Sequence, residues 1–294
     1  MPCIPQQCCS NTSELFILSK SGAILSFSKS HHEIIAATTP TFRSIAANDD
    51  ELYCITEDGI LFVYSLTDFP GSLIAHQPLS MKIKSVVCGP GFALFLTPSG
   101  AVFSKGIGTR GQLGHGDLES RTTPELIAAL TPVTVVAIAC GNWHSVRMLT
   151  LTLLELTDTG DIYAWGSNEF GQLGCPSLNL DRSNNLNDPT LSSDACINLS
   201  ALPVPVDLPE DVSIVAIACG SRHTACLSAH KELLTFGWNG FGQLGFGPNE
   251  QEMPGRYPHE GASDKVNRTS LPFSSHAELS LSCGSWCTIV RPVE

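Results

Sequence analysis

A repeated tetrapeptide, GQLG, constrains the fold of this chain more than any other feature. It occurs at residues 111–114, 171–174 and 242–245. A Cys-Gly step precedes each copy, and a fourth step stands near the end of the sequence. These steps are Cys88-Gly89, Cys140-Gly141, Cys219-Gly220 and Cys283-Gly284. Self-similarity with a base unit of roughly fifty residues indicates an array of structural repeats.

Each clear copy contains four short segments that are typical of strands. In the second copy VTVVAIA ends at Cys140, HSV and DIYAWG follow, and the glycine-rich corner comes last. Four short strands per unit separated by turns are the composition of a propeller blade. Two weaker copies turn at Asp58-Gly59 and at Ser21-Gly22, and of the latter only the middle two strands are recognisable.

The sequence therefore predicts an all-β fold, a β-propeller of four-stranded blades. We expect three clear blades, two degenerate ones and a C-terminal half blade in LSLSCGSWCTIV, whose outer strands the N-terminus would supply. Residues 12–294 are predicted to form one propeller domain, shortened or incomplete at its N-terminal end. Residues 1–11, with Cys3, Cys8 and Cys9, are predicted to be a disordered tail.

Three insertions lengthen the repeats. Residues 176–211 and 248–276 are rich in polar residues and proline, which predicts loops. Both follow GQLG, so we expect them on the same face. The second copy also has eight extra residues near positions 147–154, which either lengthen a hairpin or reflect an error in the coding sequence.

The segment GIGTRG at residues 106–111 contains G-x-G-x-x-G after a strand, which could be a dinucleotide-binding turn. The other copies have Asn168 and Asn239 in place of its middle glycine, Gly108. That glycine is needed for close approach to a pyrophosphate. A tight turn between strands is therefore the better interpretation.

Composition excludes several classes of function. The 16 basic and 28 acidic residues give a net charge of −12, opposite to the usual footprint of a nucleic-acid binder. The 12 cysteines are not accompanied by a secretion signal, so we expect a reducing compartment. Apolar runs fall well short of the ~20 residues that span a membrane. Catalytic and cofactor motifs were not found, which predicts a protein that is not an enzyme and needs no cofactor or metal.

The segments CGNWHSV and LTDTGDIYAWGSNEFGQLG resemble the regulator of chromosome condensation repeat family. CGSRHTA and CGSWCT strengthen the resemblance, which is closest to the small single-domain members. It covers about Ser85 to Gly247 and Leu281 to Val290. The resemblance implies a seven-bladed propeller closed by pairing of its two ends.

Two histidines, His144 and His223, share one register, four residues after Cys140 and Cys219. The same register holds Phe92 and Cys287 in the other copies. Because zinc bonds are only ~2.0 to 2.3 Å long, ligands from separate blades would lie too far apart. We expect these histidines to satisfy backbone groups at a blade turn, and the cysteines to fill small spaces.

The residues just before this register vary between copies: Asn142, Trp143, Arg222 and Trp286 are the candidate protein-binding residues. Trp and Arg are enriched at binding hot spots. Packing of the two tryptophans against a neighbouring blade is the alternative. Trp165 aligns with Lys105 and Phe236, which predicts packing between blades.

The resemblance implies a non-enzymatic protein-interaction scaffold, monomeric or in a hetero-complex, in the nucleus and cytoplasm. Its partners would be chromatin-linked and include a jumonji-type oxygenase that acts on histones, and histones themselves, with roles in transcription control and chromosome segregation. The alternative is a guanine-nucleotide exchange factor for a Ran-like GTPase. A third possibility, the propeller of a ubiquitin ligase, would require a catalytic domain that these residues do not contain.

Overall fold

The structure, a computed structural model, describes most of the chain. The described residues are 5–11, 14–19, 22–28, 32–36, 41–66, 75–76, 81–131, 133–149, 161–177, 197–245, 263–274 and 277–293. They form five four-stranded sheets and one two-stranded sheet, each antiparallel and each connected in simple sequence order. The part of the chain that is described contains no helix long and apolar enough to cross a membrane.

The strands follow the repeats. Sheet 1 contains β1 (Pro5–Ser10), β2 (Glu14–Ser19), β3 (Ile24–Ser28) and β4 (His32–Ala36). Sheet 2 contains β5 (Phe42–Ala47), β6 (Glu51–Thr56), β7 (Leu61–Ser65) and β8 (Ala75–His76). Sheet 3 contains β9 (Ser85–Gly89), β10 (Phe92–Leu96), β11 (Val102–Gly106) and β12 (Arg121–Leu126).

The remaining sheets continue the same pattern. Sheet 4 contains β13 (Val135–Cys140), β14 (His144–Leu149), β15 (Ile162–Ser167) and β16 (Leu199–Pro205). Sheet 5 contains β17 (Ile214–Cys219), β18 (His223–Ser228), β19 (Glu232–Gly237) and β20 (Ser263–Ser270). Sheet 6 contains β21 (Leu279–Gly284) and β22 (Cys287–Pro292), and a short 3-10 helix spans Ala128–Leu130.

The chain divides into two compact units. The first comprises Met1–Gly106 and Thr122–Leu126, and the second comprises Ile107–Arg121 and Ile127–Glu294. The prediction of a single domain over residues 12–294 stays a prediction.

The first unit has an apolar core between its sheets. Phe16 and Leu18 of sheet 1 pack with Phe42 and Leu52 of sheet 2. On the other face of sheet 2, the ring of Tyr53 meets that of Phe95 edge-on at 5.5 Å. Both faces of sheet 2 are therefore buried, which explains the continuous apolar character of its central strand.

The core of the second unit lies between sheets 4 and 5. Val146, Ile162 and Ala164 of sheet 4 pack with Leu234 and Phe236 of sheet 5. These residues come mainly from the two middle strands of each sheet. The outermost strands, β16 and β20, consist largely of exposed or half-buried residues.

The register predicted from the repeats is confirmed. Gly106 and Gly237 are the last residues of the third strands of their sheets and Gly166 is the last but one, each with a positive φ between 102° and 113°. They pair with Phe92, His144 and His223, which begin the second strands. The predicted half blade is also confirmed, because β21 and β22 form a two-stranded sheet within the described residues.

The prediction of a disordered tail over residues 1–11 is wrong for Pro5–Ser10, which forms β1 and pairs with β2. Cys8 and Cys9 lie on this strand, and Cys9 packs against the core of the first unit. Sheet 1 therefore has all four strands. Cys3 lies outside the described residues.

The predicted loop insertions need a similar correction. Strand β16 lies inside residues 176–211, and β20 lies inside residues 248–276, so each insertion ends by supplying an outer strand. The eight extra residues lie between β14 and β15, since thirteen residues separate the paired Met148 and Ile162, against five between Leu227 and Leu233. Residues 150–160 lie outside the described part.

Candidate protein-binding surface

The turns after the Cys-Gly steps stack against one another in the second unit. They join the first and second strands of sheets 4, 5 and 6 at residues 141–143, 220–222 and 285–286. The Asn142 N–H donates to the Ser221 carbonyl at 3.4 Å, and the Ser221 N–H donates to the Ser285 carbonyl at 3.0 Å. A Cβ on Gly141 would lie 2.3 Å from the carbonyl oxygen of Gly220, so this spacing requires glycine.

The seam between sheets 4 and 5 is a buried polar contact centred on Thr224. Its hydroxyl donates to the Gln172 carbonyl at 2.8 Å and lies 3.0 Å from His144 Nε2. A threonine hydroxyl has a single proton, so His144 Nε2 must be the donor in the second bond. His144 therefore carries a proton on Nε2. Its burial lowers its pKa to about 3.

The same contact recurs between sheets 5 and 6. The Thr288 hydroxyl donates to the Gln243 carbonyl at 2.9 Å and lies 3.1 Å from His223 Nε2. Burial lowers the pKa of His223 to about 4. The side-chain partner of each Nε2 is thus a hydroxyl of the next sheet. A backbone group of that sheet, at His223 for His144 and at Cys287 for His223, also hydrogen-bonds the ring, as the sequence predicts.

The described residues contain no group of three or more His, Cys, Asp or Glu side chains arranged to hold a metal ion. The thiols at the Cys-Gly steps are free, and burial raises the pKa of Cys283 to about 12. Cys54 and Cys226 are fully buried.

The GQLG corners fix the residue that precedes them. The Gln172 Oε1 accepts the Phe170 N–H at 2.8 Å, and the Gln243 Oε1 accepts the Phe241 N–H at 2.9 Å. In the latter corner Asn239 Oδ1 also accepts the Leu244 N–H at 2.9 Å. These bonds hold the phenylalanine at a defined place beside the turn of the next sheet.

The corner of sheet 5 and the turn of sheet 6 bring three rings together. We call Trp238, Phe241 and Trp286 the aromatic cluster. Trp238 and Trp286 lie 5.1 Å apart, Trp238 and Phe241 5.3 Å, and Phe241 and Trp286 6.0 Å, all edge-to-face. Phe241 is 71% exposed and Trp286 41% exposed. An exposed group of large rings is typical of an interaction site.

Arg222 joins this cluster to the preceding repeat. Its guanidinium carbon lies 4.6 Å from the centre of the Phe170 ring, 5.9 Å from that of Trp286 and 6.0 Å from that of Trp238. The face of an aromatic ring attracts a cation at such distances. Phe170 itself is buried beneath the arginine.

The structure brings together two of the four predicted binding residues, Arg222 and Trp286. Trp143 lies at the corresponding turn of sheet 4 and is 38% exposed, and Asn142 bonds through its backbone to the next turn. Trp286 also contacts the neighbouring repeat, so the packing and exposure interpretations both apply to it. The binding role of all four residues stays a prediction.

Sequence reasoning missed Trp238, Phe241 and Phe170. A signal was present, because Phe170 and Phe241 occupy the same position immediately before GQLG, where the first copy has Arg110. Arg110 pairs there with Glu169 at 2.7 Å. Trp165, by contrast, is buried as predicted, and its Nε1 donates to the Gln112 carbonyl of the preceding corner at 2.8 Å.

Comparison with known proteins agrees with this repeat register. The family described as the regulator of chromosome condensation (RCC1) repeat matches residues 99–147 and 159–227. A second description of the same repeat matches residues 135–172 and 214–243. The human RCC1 domain-containing protein 1 is 34% identical over 243 residues, which cover 74% of this chain and 59% of the relative. This chain thus spans less than two thirds of that relative's length.

Solved structures show the same fold. Human WBSCR16 superposes with a TM-score of 0.72 at 16% identity, over 97% of this chain and 73% of that one. Prp20p of Saccharomyces cerevisiae gives 0.72 at 17% identity, over 99% of this chain and 69% of its own. The fold is therefore all-β, a β-propeller built from four-stranded blades. The matched repeats, together with the 34% identity to the human relative, show that the chain belongs to the regulator of chromosome condensation (RCC1) repeat family.

Proposed function

We propose that this protein is a non-enzymatic interaction scaffold that binds protein partners through the aromatic cluster and Arg222. The exposed rings of Phe241 and Trp286 carry this proposal. Trp, Tyr and Arg dominate binding hot spots, and aromatic rings bury large areas at a low cost in side-chain entropy. Exposed apolar rings are unfavourably solvated, and binding of a partner would remove them from water.

The finer proposal concerns the partner. We infer that it is chromatin-linked and is a jumonji-type oxygenase that acts on histones, with roles in transcription control and chromosome segregation in the nucleus and cytoplasm. The choice follows from the resemblance of the repeat motifs, such as CGNWHSV and CGSRHTA, to the small single-domain members of the family. Histones are a second partner class, supported by the reported binding of Prp20p to histones.

The test is direct binding between the purified chain and a purified jumonji-type oxygenase, together with a pull-down from nuclear extract. Phe241→Ala and Trp286→Ala should each weaken capture at least tenfold, the size expected of a hot spot worth more than about 1.4 kcal/mol. Leu202→Ala is the matched control, since it truncates an exposed apolar residue outside the cluster. Equal loss with all three variants, or no binding, would refute the proposal.

Guanine-nucleotide exchange on a Ran-like GTPase is the second candidate. The observation that favours it is the likeness to Prp20p over 99% of this chain, because that protein is reported to bind Gsp1p. Nucleotide release from the GTPase distinguishes the two functions. Faster nucleotide release with catalytic amounts of this protein would establish exchange. A stable complex without faster release would support the scaffold function instead.

A further inference from the structure

Arg222 differs from most other arginines of the structure in what its guanidinium contacts. Arg110, Arg121 and Arg268 pair with carboxylates at 2.7 to 2.9 Å. Within the described residues, the guanidinium of Arg222 contacts only aromatic rings and has neither an ion pair nor a hydrogen bond. Its N–H donors are therefore available to a ligand.

The rings prepare this guanidinium for binding. Phe170 lies under it, with Trp238 and Trp286 beside it, so its rotamer is restricted before a ligand arrives. A free arginine side chain loses rotamer freedom when a ligand fixes it, and preorganisation removes part of that entropy cost. Ring faces also stabilise the positive charge without occupying the N–H groups.

The arrangement selects the sign of the ligand's charge. An aromatic cluster alone could receive a cation such as a methylated lysine, but here Arg222 already lies over the ring faces. A basic segment would meet a like charge at the centre of the site. A carboxylate would instead accept two parallel N–H bonds from the planar fork of the guanidinium.

We propose that Arg222 and the aromatic cluster bind an acidic segment of a partner protein, in which Asp or Glu stands next to a large apolar residue. This inference rests on the proposed scaffold function and specifies the chemistry of its ligand. The carboxylate would pair with Arg222, while the apolar side chain would cover Phe241 and Trp286, the most exposed rings of the site. Charge and apolar area are thus both required of the ligand.

The experiment measures binding of capped, dye-labelled peptides by fluorescence polarisation. The probe carries Glu-Phe-Asp-Leu at its centre. The matched probes carry Gln-Phe-Asn-Leu, Lys-Phe-Lys-Leu and Glu-Gly-Asp-Gly, which remove the charge, reverse it or remove the apolar groups. We expect saturable binding of the first probe, and at least tenfold weaker binding of each of the others.

Protein variants locate the site. Arg222→Gln should weaken binding of the acidic probe at least tenfold, as loss of a charge-assisted pair predicts, and Arg222→Lys should fall between Gln and wild type. Arg268→Gln, which removes a surface arginine already paired with Asp211 and Glu232, should leave binding unchanged. Unchanged near-ultraviolet circular dichroism and melting temperature would verify that each variant is folded.

Three results would overturn the inference. They are equal binding of the neutral or basic probe, insensitivity of the acidic probe to Arg222→Gln, and burial of the cluster by a second copy of the chain, detected by sedimentation. Different results would refute the acidic ligand and the scaffold function. Partner capture that depends on Phe241 and Trp286 but not on Arg222 would retain the scaffold and refute the acidic ligand.

Discussion

Replacement of Thr224 by valine should destabilise the second unit by about 3 kcal/mol. The side chain is fully buried, and its hydroxyl joins the Gln172 carbonyl to His144 Nε2. Valine has the same shape and favours strands, so the packing and backbone terms are small. The loss leaves one buried acceptor and one buried donor without partners, at about 1 to 3 kcal/mol each.

Urea unfolding followed by tryptophan fluorescence measures this cost. All four tryptophans lie in the second unit, so the signal reports on that unit. The midpoint should fall while the slope of free energy against urea stays constant, since a change in slope would indicate a different unfolded state.

Two other threonines with similar contacts allow the loss of stability in Thr224→Val to be compared. Thr235 is equally buried, but its hydroxyl bonds only the Leu244 carbonyl at 2.7 Å, so Thr235→Val should cost about half as much. Thr288 makes the same two contacts as Thr224 but is half-buried, and water can replace its hydroxyl. A cost for Thr224→Val no larger than that for Thr235→Val would refute the seam argument.

Three further predictions concern the same unit. Because the pKa of His144 falls to about 3 in the folded state, the unfolded state alone binds a proton below about pH 6.5, so stability should fall as the pH drops, by about 2 kcal/mol at pH 5. His144→Gln should remove about half of the pH dependence in unfolding curves measured from pH 7.5 to pH 5, because His223, whose pKa falls to about 4, contributes a similar share. Trp165→Phe loses the bond to the Gln112 carbonyl and part of the ring volume, and should lower unfolding free energy by about 1 to 2 kcal/mol. Gly237→Ala should lower the free energy of unfolding more than Gly242→Ala does. Both glycines have positive φ, but only a Cβ at position 237 would meet a carbonyl oxygen, that of Arg222 at 2.5 Å. Equal losses in the two variants would contradict this.

The inner strands were predictable because burial on two faces leaves a strong sequence pattern. IVAIAC and VVAIAC begin sheets 5 and 4 as the β-branched runs indicate, and the positive-φ glycines mark where third strands end. Outer strands carry a weaker pattern. SDKVNRTS forms β20, yet its residues are mostly exposed or half-buried, so its polar composition predicted a loop.

Strand β1 shows a second limit. PQQCCS lacks the β-branched and aromatic residues that identify strands, and proline and glutamine favour other conformations. It forms a strand because β2 offers an unpaired edge and because Gln7 Oε1 accepts the Ile45 N–H of sheet 2 at 2.9 Å. Such tertiary contacts have no periodicity along the chain.

The aromatic cluster shows why part of the site was predictable and part was not. The turn residue after each Cys-Gly step varies freely, since the neighbouring glycine, histidine and threonine supply the contacts that join one sheet to the next. That freedom identified Arg222 and Trp286 as candidates. Trp286 shares its environment with residues of the GQLG corner in the preceding repeat. Phe241 of that corner contacts Trp286 but lies 45 residues before it in the sequence.

Within a repeat, different residues join neighbouring sheets and bind the ligand. Substitution at Thr224 or His144 would remove a buried hydrogen bond of the seam, whereas substitution at Arg222 removes cation–π contacts of a half-buried side chain. A repeat of this kind can therefore change its ligand without changing its fold, because the side chain at the binding position makes no hydrogen bond across the seam in the described residues. Comparison of Arg222→Gln with Thr224→Val should show loss of binding at constant stability in the first, and loss of stability in the second.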